Sequence, residues 1–212
     1  MLSDKVVIIT GIGPGMGRKL ALEAAKAGAK LAIAARSRDF LEGVAREVES
    51  AGGSAIAVQA DVSKTDDCER LAKATIERYG RIDGLVNSAY GAAAFVPFEE
   101  ADLDEWRKAM EVTLFGSLQM IKAVLPQMKA QGGGAIVNNG SDLARQPEGV
   151  PIDYSASKAA VLALTKGLAR TEGSNNIRVN AVAPGPVWTP FWTQPGGFAE
   201  TMGNFHKMEP QK

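Results

Sequence analysis

"KVVIITGIGPGMGRKLALEAAKAG", residues 5–28, sets an apolar run, a glycine-rich turn and a helical pattern in immediate succession. Residues 5–10 are short, β-branched and apolar almost throughout, the mark of a strand buried on both faces. Gly11, Gly13, Gly15 and Gly17 follow, and the spacing predicts a helix over 15–27. Glycines let the backbone turn sharply and approach an anion closely, while the free N–H groups and positive dipole end of the helix face that anion. A tight strand-to-helix connection can need glycine for steric reasons alone. The position of this turn, after the first strand and opening a helix, points instead to the pyrophosphate of a dinucleotide. A nucleoside triphosphate loop would close on Gly-Lys-Ser/Thr, which "GMGRKL" (15–20) does not supply.

The alternation continues to the far end of the chain. Apolar runs at 30–35, 54–59, 81–87, 134–139 and 177–182 are separated by helical patterns at 38–51, 65–79, 101–130 and 154–173. Buried strands alternating with helices imply right-handed crossovers onto a parallel sheet, hence a doubly wound α/β domain. "AQGGG" (130–134) reads as a helix stop, and no linker or repeat divides residues 1–212, so one domain is expected. Ligands of such sheets bind beyond the carboxyl ends of the strands, where the strand order reverses.

Composition narrows the partners. Lys plus Arg and Asp plus Glu both number 24, so no net field attracts nucleic acid or an anionic membrane. Cys68 and His206 are the only residues of their kinds, which excludes an internal disulfide and a clustered Cys/His metal site. No segment approaches the roughly 20 apolar residues of a membrane span. A cytoplasmic protein without metal is expected.

Further along, Thr10, Gly11, Gly15 and Gly17 spell "TGxxxGxG", "ADV" occupies 60–62, "NSAY" 87–90, "GS" 140–141, "YSASK" 154–158 and "VAPGPVWT" 182–189. In this order and spacing they resemble the short-chain dehydrogenase/reductase family, from residue 5 to about 190. The resemblance implies a Rossmann-type sheet of about six strands in the order 3-2-1-4-5-6. It also implies a nicotinamide-dependent oxidoreductase interconverting a secondary alcohol and a carbonyl. On the same basis the cofactor meets Gly11, Gly13, Gly15, Met16, Gly17, Asp61, Val62, Asn87, Tyr154, Lys158, Pro184, Gly185, Val187 and Thr189. Asp61 would lie beside the adenine, and Val187 and Thr189 beside the nicotinamide carboxamide.

Tyr154 and Lys158 stand four apart at the start of "DYSASKAAVLALTKGLAR" (153–170), so a helix presents both on one face. An ammonium beside a phenol stabilises phenolate and is expected to pull its pKa, ordinarily about 10, toward neutrality. Tyr154 is then the candidate acid/base. By resemblance Lys158 also holds the nicotinamide ribose, and Ser141 donates to the substrate oxygen as charge develops there. An isolated Y-x-x-x-K is more often surface packing, and an isolated serine more often a cap. Their combination with the glycine turn favours catalysis.

Several positions depart from the family pattern. Tyr90 stands where it usually has glycine, and Thr113 where it has an asparagine of the proton relay. Threonine retains one hydroxyl but not the amide's paired donor and acceptor, so Thr113→Asn is expected to preserve or raise turnover. The family's further helix and seventh strand are not found after residue 190, which would leave the sixth strand an unpaired edge and puts the expected homodimer or homotetramer in doubt. Ala35 replaces the carboxylate that holds ribose hydroxyls in NAD-preferring relatives. Arg36 or Arg38 could then pair with a 2′-phosphate, so NADP(H) is favoured over NAD(H). Both arginines could equally be solvated charges at a helix start, and Pro14 stands where many NADP-binding relatives have a basic residue.

Segments 90–98, 142–153 and 187–198 are candidate substrate walls, with Phe95, Trp188, Phe191 and Trp192 suiting an apolar alcohol or carbonyl, although core packing would use the same aromatics. Residues 187–205 could form a mobile lid. A dinucleotide-binding protein with vestigial chemistry is the alternative. Intact Ser141, Tyr154 and Lys158 argue against it.

Overall fold

The computed structural model describes residues 2–93, 96–147 and 152–190. Phe95, Phe191, Trp192, His206 and most of the expected lid lie outside the described residues. Six strands, β1 (Val6–Thr10), β2 (Lys30–Ala35), β3 (Ser54–Gln59), β4 (Gly84–Asn87), β5 (Gly134–Asn139) and β6 (Ile177–Val182), form one sheet. Its order is β3-β2-β1-β4-β5-β6 and every pairing is parallel, as the apolar alternation implies. The order reverses between β1 and β4, whose carboxyl ends open the ligand crevice of such sheets.

Helices α1 (Met16–Lys26), α2 (Arg38–Ser50), α3 (Thr65–Tyr79), α4 (Leu103–Met110), α5 (Gly116–Ala130) and α6 (Ile152–Glu172) connect the strands. Alternate residues of each strand supply opposite cores. Ile8, Ala32, Leu85 and Ile136 pack with Leu71, Met120, Ile121 and Val124 of α3 and α5. Val7, Ile9, Leu31 and Ile33 pack with Ala21, Leu41, Val44 and Val48 of α1 and α2. Cys68 is buried in the first cluster, and that burial pushes its thiol up to about 12, which keeps it unreactive.

Two boundaries differ from the sequence reading. The strand expected over 81–87 begins only at Gly84, because Asp83 accepts the Val6 N–H and both arms of Arg81 and so forms the entry to the strand. The helix expected over 101–130 is interrupted by a π-helical turn at Glu111–Phe115. There Thr113 is drawn into the interior at 1% exposure, and Gly116 lies where a Cβ would come 2.6 Å from Val62 Cγ2. Among the described residues no helix is long and apolar enough to cross a membrane.

Candidate active site

The β1–α1 turn is shaped by backbone contact. Gly11 has φ +74°, and a Cβ there would lie 2.4 Å from Ala89 N; one at Gly17 would lie 2.3 Å from Gly11 O. Those two glycines close the turn against β4 and against itself. Gly13 is different: a Cβ there would meet nothing within 4 Å. Gly15 is the N-cap of α1 and no side chain caps the helix, so the first N–H groups, those of Met16 and Gly17 included, face the turn. Open space beside Gly13 and an uncapped helix start fit a pyrophosphate.

At the end of β2, Arg36 is exposed and makes no ion pair among the described residues, whereas Arg38 is held by Glu42 at 2.8 Å. Ser37 precedes α2 without capping it. Past β3, one Asp61 carboxylate oxygen accepts from Ser63 N–H and hydroxyl at 3.0 and 2.7 Å, forming the turn into α3, and Val62 packs on Gly116.

Between these ends runs a buried polar network. Ser88 N–H donates to Thr10 Oγ1 (3.3 Å), Asn139 Nδ2 to Ser88 Oγ (3.3 Å), and Lys158 Nζ to Asn139 O (2.6 Å). Asn87 Nδ2 donates to Asn138 Oδ1, whose own amide donates to Thr165. Among the described residues two buried side-chain oxygens, Asn87 Oδ1 and Asn139 Oδ1, accept no hydrogen bond. Buried acceptors are nearly always paired, so two at the mouth of the crevice fit a polar ligand that donates to them. Ser88, Asn138 and Asn139 escaped the sequence reading; the paired asparagines of "VNNGS" (137–141), at a strand's carboxyl end, were the signal available.

Ser141, Tyr154 and Lys158 converge just beyond β5. The Ser141 hydroxyl stands close enough to the Tyr154 phenol to lower its pKa, and Lys158 Nζ lies 5.5 Å from the centre of the Tyr154 ring. Ser141 also accepts from Leu143 N–H and donates to Asp142 Oδ1 at 3.1 Å, so it caps a short 3₁₀ turn as well. Tyr90 stands edge-on to Tyr154, with ring centres 5.8 Å apart and planes at 81°.

The electrostatics differ from the sequence expectation. Burial is the largest influence on Tyr154 and raises its pKa; the Ser141 hydrogen bond lowers it, and Tyr90 and Asp142 raise it further. Lys158, 1% exposed, is itself depressed to about 8 by burial. Its amine faces the ring of the tyrosine and hydrogen-bonds a backbone carbonyl, so in this structure desolvation outweighs the acidifying field that i,i+4 spacing suggests. The phenol is a protonated acid at neutral pH.

Thr113 does not join that corner directly. Its hydroxyl accepts from Gly91 N–H (2.9 Å) and donates to Gly91 O (3.2 Å), tying the loop after β4 to the π turn. Asp153 fixes the same loop by accepting from Ala93 N–H at 2.6 Å. After β6, Pro184 O accepts from Asp142 N–H, and Gly185 approaches the Asp142 carboxylate. Thr189 lies against Gly15, 3.0 Å from where a Cβ would be, while Val187 and Trp188 are exposed. The described start of the expected lid thus lies beside the glycine turn.

Comparison with known proteins agrees with this geometry. Residues 5–196 match the short chain dehydrogenase family. Over 183 residues the chain is 42% identical to an uncharacterized oxidoreductase of Thermotoga maritima, spanning 85% of this chain and 71% of that protein. It superposes on levodione reductase with a TM-score of 0.88 at 35% identity, covering 99% of this chain and 80% of that one. On 7α-hydroxysteroid dehydrogenase, in complex with NADH and 7-oxo glycochenodeoxycholic acid, it superposes with a TM-score of 0.84 at 34% identity, covering 89% and 73%. A parallel sheet in the order 3-2-1-4-5-6 and a glycine turn at its reversal point are thus joined to a match over most of the sequence: the chain belongs to the short-chain dehydrogenase family and is an NAD(P)-dependent oxidoreductase.

Proposed function

We propose that the protein interconverts a secondary alcohol and a carbonyl compound, with Tyr154 exchanging the proton at the substrate oxygen. The observation that carries this reading is the Lys158 amine 5.5 Å from the centre of the Tyr154 ring, with the Ser141 hydroxyl near enough to the phenol to lower its pKa. Bound nicotinamide supplies or accepts the hydride, which no side chain can carry. In the reductive direction Tyr154, whose burial keeps it protonated, gives its proton to the oxygen as negative charge develops there. Ser141 turns its hydroxyl from Asp142 Oδ1 to the same oxygen and donates to it. Lys158, mostly cationic at pH 7 with a pKa of about 8, sets a positive field along the phenol and is the residue to hold the ribose. Thr113 supports the site through Gly91.

The cofactor preference we infer is NADP(H). Ala35 offers no carboxylate to repel a 2′-phosphate, and Arg38 is committed to Glu42, so Arg36 is the cation assigned to that phosphate. The glycines, Asp61, Val62, Asn87 and the 184–189 loop complete the proposed cofactor contacts.

A panel of ketones and alcohols followed at the reduced-nicotinamide absorbance tests the reaction. Tyr154→Phe should lose about 10²- to 10⁴-fold in turnover while still binding dinucleotide; unchanged turnover would defeat the assignment. Titration should show NADPH bound more tightly than NADH, with Arg36→Ala narrowing the gap, and a wild-type preference for NADH would remove the phosphate site.

A further inference from the structure

Tyr90 is not used by the mechanism above, yet its ring lies edge-on to the proton-donating phenol. Its ring centre is 5.8 Å from that of Tyr154 and 5.9 Å from Lys158 Nζ, so it borders the same corner as both. Its loop is fastened on both sides. Gly91 N–H and C=O are both bonded to Thr113, Ala93 N–H is bonded to Asp153, and a Cβ on Gly91 would lie 3.0 Å from Ala109 Cα. Asp153 immediately precedes Tyr154, so the loop and the catalytic helix share an anchor. Despite that fastening the Tyr90 side is open, with 46% of the residue exposed.

We propose that Tyr90 is a specificity-determining residue, an aromatic wall that selects carbonyl substrates bearing a flat ring on the carbonyl carbon. The proposal rests on the reading of Tyr154 as proton donor. A substrate whose oxygen meets Ser141 and Tyr154 must hold its carbon skeleton beside that corner, and a ring centred 5.8 Å from the phenol bounds the space available. Edge-to-face and offset contacts between aromatic rings favour a planar neighbour by about 0.5–1.5 kcal/mol beyond area burial, which is about 2- to 12-fold in kcat/KM. A glycine, which this family usually carries at the position, provides no such surface.

Acetophenone and cyclohexyl methyl ketone, each eight carbons and differing in a flat against a puckered ring, are suitable probes. The quantity to measure is how their kcat/KM ratio changes between wild type, Tyr90→Leu and Tyr90→Phe with NADPH, since taking the change cancels intrinsic reactivity. We expect Tyr90→Leu to shift the ratio about 3- to 10-fold against acetophenone, chiefly through KM, and Tyr90→Phe to retain it. Dinucleotide affinity, read by fluorescence titration, should be equal in all three and reports that the variants are folded. An unchanged ratio in Tyr90→Leu, an equal loss on both ketones, or a wild type that binds dinucleotide but reduces neither would overturn the proposal. Tyr154→Phe separates the two ideas: if it keeps full turnover while Tyr90→Leu still shifts the ratio, the aromatic wall stands and the proton-donor assignment falls.

Discussion

At the β1–α1 turn the site is made of backbone: Gly11 and Gly17 are squeezed against main-chain atoms, Gly13 faces open space, and no side chain caps the helix. Beyond β4 and β5 it is made of side chains, with Tyr90 from the loop after β4, Ser141 from just past the end of β5, and Tyr154 and Lys158 from one turn of α6. The first region is suited to a ligand group that is the same in every turnover, because main-chain N–H groups present one fixed pattern. The second is suited to chemistry and choice, because each side chain there can be altered separately. The exposed large apolar residues follow a similar division: those described, among them Tyr90, Val187 and Trp188, all lie at residue 90 or later.

The comparison can be pressed hardest at Lys158. Its pKa falls from 10.5 to about 8 in the folded chain, so between those values the unfolded chain holds more protons and stability rises with pH. A shift of this size corresponds to about 3 kcal/mol at full development. Lys158→Met should be more stable than wild type at pH 7 in the absence of cofactor, with the difference shrinking as pH climbs from 8 toward 10.5. Urea midpoints of the two proteins across that range measure it, and opposing titrations such as that of Cys68 cancel in the difference. Parallel midpoints at every pH would mean that the lysine is not desolvated as described.

A smaller effect is expected at the glycine turn. Gly17→Ala forces a Cβ into Gly11 O and should cost about 1–3 kcal/mol together with dinucleotide binding. Gly13→Ala should leave the melting temperature within about a degree or two, since nothing is displaced, yet weaken dinucleotide affinity because the methyl stands where the ligand approaches. If Gly13→Ala binds as well as wild type, the cradle lies elsewhere.

Smallest is the tether. The sequence alone suggests that Thr113→Asn preserves or raises turnover, but the buried hydroxyl serves both polar groups of Gly91 in a space fitted to threonine. Asn should therefore cost about 1–2 kcal/mol and loosen the Tyr90 loop, a change visible as faster amide exchange at Gly91 and Ala93; full activity and unchanged exchange would return Thr113 to the role first expected.

What was legible from the sequence was local or ordered. Strand-length apolar runs, glycines directly after the first of them, and a tyrosine and lysine one helical turn apart each carry their meaning within a few residues. The lysine's partner does not: Asn139 O is 19 positions away, and the Thr113–Gly91 and Asp153–Ala93 bonds close 22 and 60. No periodicity announces such contacts. Spacing misleads on the direction of the Tyr154 shift for a related reason, since it reveals a neighbouring charge but not how deeply both groups are buried.

The π turn at Glu111–Phe115 also governs how the two helices it joins are phased. Each residue advances an α-helix by about 100°, so a local widening lets α4 direct Ala109 toward the β4 loop while α5 sets Met120, Ile121, Val124 and Met128 into the sheet. Shortening this stretch by one amino acid would rotate one helix relative to the other by roughly a quarter turn, and the chain would have to choose between a seated active-site loop and a filled interior.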